Sequence, residues 1–257
     1  MTTPTEPTTA LPPTLAGEEP PPLSFNVPEG FFALPLAATP EERAERAQSF
    51  VRALYSGGDD TIWEPAAPYY AAIAGLMAGT GVSYAAMGLF STAEDEEDGD
   101  ESSHVARHSL SDGAVQCAFT VAAIPTDQAA ADTDIVAQGI LATLSKDPYN
   151  DARWLDLPCG PGVFCVTLRE LKLRPDVTAS GEVTDLLTGQ IQVHVPFSTG
   201  PFTAIFTLYT ASTEYWAEFC DLMAAILQTV SFTEPVADMN ALDAAADRTA
   251  VQPSDLS

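Results

Sequence analysis

Leu187-Thr-Gly-Gln-Ile-Gln-Val-His-Val-Pro-Phe-Ser-Thr-Gly-Pro-Phe-Thr-Ala-Ile-Phe-Thr-Leu-Tyr209 reads as a strand, a reversal and a second strand. Ile191, Val193 and Val195 alternate with Gln190, Gln192 and His194. That period of two sets one face against a core and turns the other to polar surroundings. Pro196 to Pro201 reverses the chain, and Phe202, Ala204, Phe206 and Leu208 then alternate with Thr203, Ile205, Thr207 and Tyr209. Apolar and β-branched residues on both sides suit a strand covered on both faces. Downstream, Trp216, Phe219, Cys220, Met223, Ile226, Leu227 and Val230 recur at helical spacing. Ser212 or Thr213 is the expected N-cap, and Glu214, Glu218 and Asp221 lie where the helix dipole favours anions.

Working outward, Thr39-Pro40-Glu41-Glu42 supplies a cap, a proline at the first helical position and a capping-box glutamate. The helix it opens carries an apolar stripe of Ala47, Phe50, Val51 and Leu54 to about Tyr55 and stops at Gly57-Gly58. A second helix, with Tyr69 or Tyr70, Ile73, Leu76 and Met77 as its expected apolar face, ends at Gly79. Val82 to Phe90 and Ala114 to Ile124 read as buried strands, and Asp132 caps a helix bearing Ile135, Val136, Ile140, Leu141 and Leu144. Arg153 to Leu157 and Val163 to Leu171 read as strands joined across Pro158-Cys-Gly-Pro-Gly162. The total is six strands and four helices, ordered helix, helix, two strands, helix, four strands, helix. Runs of adjacent strands imply antiparallel pairing, and two-sided strands imply helices on both faces. The expected architecture is therefore α+β: an α/β/α sandwich around one mostly antiparallel sheet, spanning residues 23–232.

The flanks differ in composition. Residues 1–22 form a Pro- and Thr-rich arm read as disordered, without the basic and apolar regions of a secretory signal. Residues 233–257 form an acidic tail read as flexible, with room for a short helix from about Val236 to Ala246. An acidic loop at 94–104 contains Glu94, Asp95, Glu96, Glu97, Asp98, Asp100 and Glu101. The whole chain carries 36 acids against 10 bases, a formal charge of −26. Without that run, the arm and the tail, twenty-one acids and nine bases remain, so the core itself is near −12. Such a surface repels phosphate backbones and anionic headgroups, which disfavours nucleic acid and leaves a basic protein as the natural partner.

Ala66 to Ala93 contains no charged residue, and Tyr70 to Phe90 has the length of a bilayer span. The break at Gly79-Thr80-Gly81 and the acidic flanks, with no Lys or Arg to anchor an inner end, argue for a soluble helix and strand instead of membrane insertion. Four cysteines, Cys117, Cys159, Cys165 and Cys220, match no zinc or redox spacing and read as free, core-packing thiols of a cytoplasmic protein. His104 and His108 have the i, i+4 spacing of helical metal ligands, but no third ligand or helical stripe accompanies them. The acidic run lacks the ligand spacing of an EF-hand loop, and no Gly-x-Ser-x-Gly elbow or phosphate-binding glycine loop occurs. No catalytic residue, metal site or cofactor is assigned.

The Phe-x-Val-Pro-Glu-Gly-Phe opening from Phe25 to Phe31, the hairpin from Gln190 to Thr210 and the Ser-Thr-Glu-Tyr-Trp start of the last helix resemble the PsbP-like fold, which actinobacterial proteins share. The arginine and alanine usage, with only two lysines, also looks actinobacterial. The resemblance implies a scaffold used mainly to bind proteins, and it brings no functional residues with it. The expected function is a non-catalytic protein-binding or adaptor module, its contact surface drawn from the acidic run and from Gln190, Gln192 and His194. The competing class is a hydrolase or metal-dependent enzyme using Cys159, with His194 as its base, or the His104/His108 pair.

Overall fold

A computed structural model describes residues 8–9, 21–91, 114–126, 132–178 and 180–232. The acidic run, His104, His108 and the tail beyond Phe232 lie outside the described residues. Nine strands are described: β1 (Thr8–Thr9), β2 (Ser24–Phe25), β3 (Phe31–Ala33), β4 (Val82–Ser91), β5 (Ala114–Pro125), β6 (Asn150–Leu157), β7 (Gly160–Leu173), β8 (Thr184–Pro196) and β9 (Phe202–Thr210). Four α-helices accompany them: α1 (Pro40–Leu54), α2 (Asp60–Ala78), α3 (Thr133–Leu144) and α4 (Trp216–Leu227). Seven strands form one sheet in the order β3-β4-β5-β9-β8-β7-β6. Every neighbouring pair in it is antiparallel.

Alternation along the strands divides two layers of core. On one face, Phe119, Ile191, Val193, Phe206 and Leu208 pack beneath α4, whose Phe219, Met223, Ile226 and Leu227 are buried. The segment from Leu23 to Val27 lies on the same face, held by reciprocal backbone bonds of 2.9 Å between Ser24 and Ser231. Phe25 is fully buried there, edge-on to Tyr84 and Phe206 with ring centroids 5.3 and 5.7 Å away. The other face is covered at its two ends. Met87 and Leu89 of β4 meet α1 and α2, while α3 lies over β6, β7 and β8.

Local sequence explains most of these elements. Thr39 accepts a 3.2 Å bond from the Glu42 amide, Pro40 occupies the first turn, and Ala47, Phe50, Val51 and Leu54 are the buried stripe of α1. Asp59 and Asp132 cap α2 and α3 through the amides of Thr61 and Asp134. The charge-free run divides into the end of α2, a turn with Gly81 at φ +79°, and β4. Among the described residues no helix is long and apolar enough to cross a membrane.

Five sequence expectations change. Phe31–Ala33 adds a seventh strand at the β4 edge, too short for a period of two to be read. Thr8–Thr9 pairs with Ser24–Phe25 outside the main sheet. Helix α2 starts at Asp60 and runs through Pro65 and Pro68, burying Ala67, Tyr70 and Ala74, whereas Leu76 and Tyr69 are 76% and 65% exposed. Of the expected apolar face, Tyr70 is buried against Phe50 of α1 and Ile73 is half-buried, while the small Ala67 and Ala74 fill the rest of the contact. Neither Ser212 nor Thr213 caps α4, because a 3-10 turn at Thr213–Tyr215 intervenes and the Ser212 hydroxyl instead accepts from the Gln116 amide. Finally, β6 and β7 meet across Pro158-Cys159 alone, with Leu157 paired to Gly160.

Candidate functional site

Strand β8 sets the site because its even-numbered residues face away from α4. Gln190 lies between Thr167 and Tyr209, Gln192 between Cys165 and Thr207, and His194 between Val163 and Ile205. The three residues named from sequence therefore form one polar strip across the middle of the sheet. Their surroundings differ along it. His194 lies at the α3 end, where it lines a cleft with Ile140 and Thr203. Its Nε2 is 3.0 Å from Gln192 Oε1, and burial pushes its pKa down to about 4, so the ring is neutral near pH 7.

At the other end of the strip no described helix covers the sheet. Thr167, Arg169, Leu171, Thr188, Gln190 and Tyr209 line an open recess of about 520 Å³. Tyr209 and Leu171 are 45% and 46% exposed. Strands β7 and β8 continue past their neighbours here: β6 pairs with β7 only as far as Thr167, and β9 with β8 only from Gly189. The result is a two-stranded ribbon beginning at the Arg169–Thr188 pair, on which Lys172 bonds Asp185 at 2.9 Å and Arg174 bonds Asp176 at 3.2 Å. Both pairs are exposed and add little to stability. Arg169 makes no ion pair with a described residue.

Of the groups considered for catalysis, Cys159 and His194 are not brought together, and the His104/His108 pair lies outside the described residues. Cys159 packs toward the α4 side with Leu155 and Leu157, whereas His194 lies on the α3 side, so the sheet separates thiol from imidazole. Burial raises the Cys159 thiol above its ordinary pKa, opposite to what a nucleophile needs. Cys165 is buried opposite Ala152, and all four cysteines are free. No cluster of three or more His, Cys, Asp or Glu side chains suited to a metal occurs among the described residues.

Sequence reasoning missed Arg169, Leu171, Tyr209 and Thr203. Leu171 and Tyr209 looked like ordinary strand apolars, and only the missing cover over the sheet exposes them. Thr203 had a faint signal, a threonine in a strand whose two faces both read as buried. No family model, no curated protein and no solved structure matches this chain.

Proposed function

We propose that this chain is a non-catalytic protein-binding module that recruits a basic partner across the uncovered part of its sheet. The observation that carries the reading is the recess beside the ribbon, where Tyr209 and Leu171 stand exposed between helical covers. Exposed aromatic and aliphatic side chains beside polar ones make a partner contact of ordinary composition. The charge of −26 adds long-range attraction toward a basic protein and repulsion toward nucleic acid. The PsbP-like resemblance of the opening, the hairpin and the last helix points the same way, as does the separation of Cys159 from His194 by the sheet. Four free thiols fit a cytoplasmic setting.

The test places a photo-crosslinking amino acid at Tyr209 or, as a control, at Leu76, which is 76% exposed on α2. A basic protein is expected to crosslink from position 209 and not from 76, with a yield that falls as salt rises. Equal yields from both positions, or a yield indifferent to salt, would refute the reading.

A further inference from the structure

Between α3 and the sheet lies a cleft of about 470 Å³. Its floor is His194 of β8, Thr203 of β9 and Ile124 of β5, and its cover is Val136, Gly139 and Ile140 of α3. The volume is in the range of small-molecule sites, and every side chain that lines it is uncharged when His194 is neutral.

Two polar groups on the floor have hydrogen-bonding capacity to spare. Thr203 is 1% exposed, and its Oγ1 is the one buried side-chain nitrogen or oxygen among the described residues without a hydrogen bond. A buried hydroxyl left bare is a rare and costly arrangement, and it points to a group that completes it. His194 donates through Nε2 to the amide oxygen of Gln192, which leaves the lone pair of Nδ1 without a described partner. Pro196 faces Thr203 in the ladder and His194 faces Ile205, so His194 and Thr203 are diagonal neighbours on adjacent strands. Such neighbours stand about 7–8 Å apart, close enough for one atom between them to meet both. A donor and an acceptor so placed match a hydroxyl, which accepts one hydrogen bond and gives another.

We propose that the cleft binds a small, uncharged, mainly apolar molecule bearing one hydroxyl, of the size of an alkylphenol. Its hydroxyl accepts from Thr203 and donates to His194 Nδ1, and its body lies against Ile124, Val136 and Ile140. A charged ligand is excluded because the lining offers no counter-charge to replace its water.

The experiment titrates the full chain with 4-propylphenol and, separately, with propylbenzene, following backbone amide shifts by NMR. Saturable binding is expected, centred on α3 and β9, with the phenol bound roughly tenfold more tightly than the hydrocarbon. Thr203→Val should weaken the phenol roughly two- to tenfold and leave propylbenzene unchanged. Gly139→Leu should abolish binding of both probes without loss of folding, because a Cβ there meets no atom within 4 Å and Gly139 lines the cleft. Equal affinity for the two probes, or undiminished binding to Gly139→Leu, would overturn the proposal. So would an absence of saturation in the full chain, the result expected if the chain's own residues fill the cleft.

Discussion

Gly189 is the position at which one methyl group tests the packing between sheet and helix. The residue is buried in β8, and its backbone is not in the left-handed region, so its conformation does not require glycine. What requires it is Trp216, the first residue of α4, whose ring lies across it. A Cβ built on Gly189 would collide with Trp216 Cζ3 and stand 3.0 and 3.3 Å from Cε3 and Cη2. Carbon atoms settle at about 3.5–4.0 Å, so the ring must withdraw by on the order of 1 Å. The helix cannot follow freely, since Phe219 and Met223 in its next turns are 2% and 1% exposed. Overpacking of this kind costs about 1–3 kcal/mol, against which alanine regains roughly 0.5–1 kcal/mol of the backbone entropy that glycine loses. Gly189→Ala should therefore destabilise by about 1–2 kcal/mol, or roughly 2–8 °C in Tm for a domain of this size. In a Trp216→Ala background the collision is gone, and the same substitution should become neutral or stabilising. Urea and thermal unfolding of the four proteins gives the coupling directly. Equal loss from Gly189→Ala in both backgrounds would show that the tryptophan is not the reason for the glycine.

The buried histidine predicts a pH dependence. His194 has its pKa pushed from 6.5 down to about 4 in the folded chain, so the unfolded chain binds the extra proton first. The stability tied to the neutral ring is complete above about pH 6.5 and is lost as pH falls toward 4, with a loss of about 2 kcal/mol at pH 5. His194→Gln should remove that component, and parallel Tm profiles for the two proteins between pH 7 and 5 would contradict the burial of the ring. Phe25→Ala empties a fully buried ring site that anchors the opening segment, and should cost about 3–5 kcal/mol in urea unfolding; a loss below about 1 kcal/mol would show that the segment does not hold the sheet. Replacing Glu94 to Glu101 with Gly and Ser should leave Tm nearly unchanged while slowing association with a basic partner and flattening its salt dependence; unchanged kinetics would remove the run from the contact surface. In the native protein Cys117 should be the slowest thiol toward an alkylating reagent, since burial pushes its pKa up to about 12; a rate equal to that of Cys220 would refute its burial.

Periodicity and capping chemistry are local, and they made most of the fold readable. The alternation of Ile191, Val193 and Val195 with Gln190, Gln192 and His194 marked both faces of β8. Thr39-Pro40-Glu41-Glu42 marked the start of α1, and the stripe of α4 was legible because a single face meets a flat sheet. The antiparallel character followed from runs of consecutive strands, and the −26 charge came directly from composition. Tertiary structure decided what depends on separation in space. On α2, Tyr70, Ala67 and Ala74 are buried while Tyr69 and Leu76 are exposed, because α1 approaches along one side of the helix only. Phe31–Ala33 is a strand because β4 offers it an edge. Cys159 and His194 fall on opposite faces of the sheet, and the unpartnered Thr203 hydroxyl and His194 line one cleft beneath α3. None of these is written in a local pattern, because each arises when segments distant in sequence bring unlike surfaces together and leave one of them covered, crowded or empty.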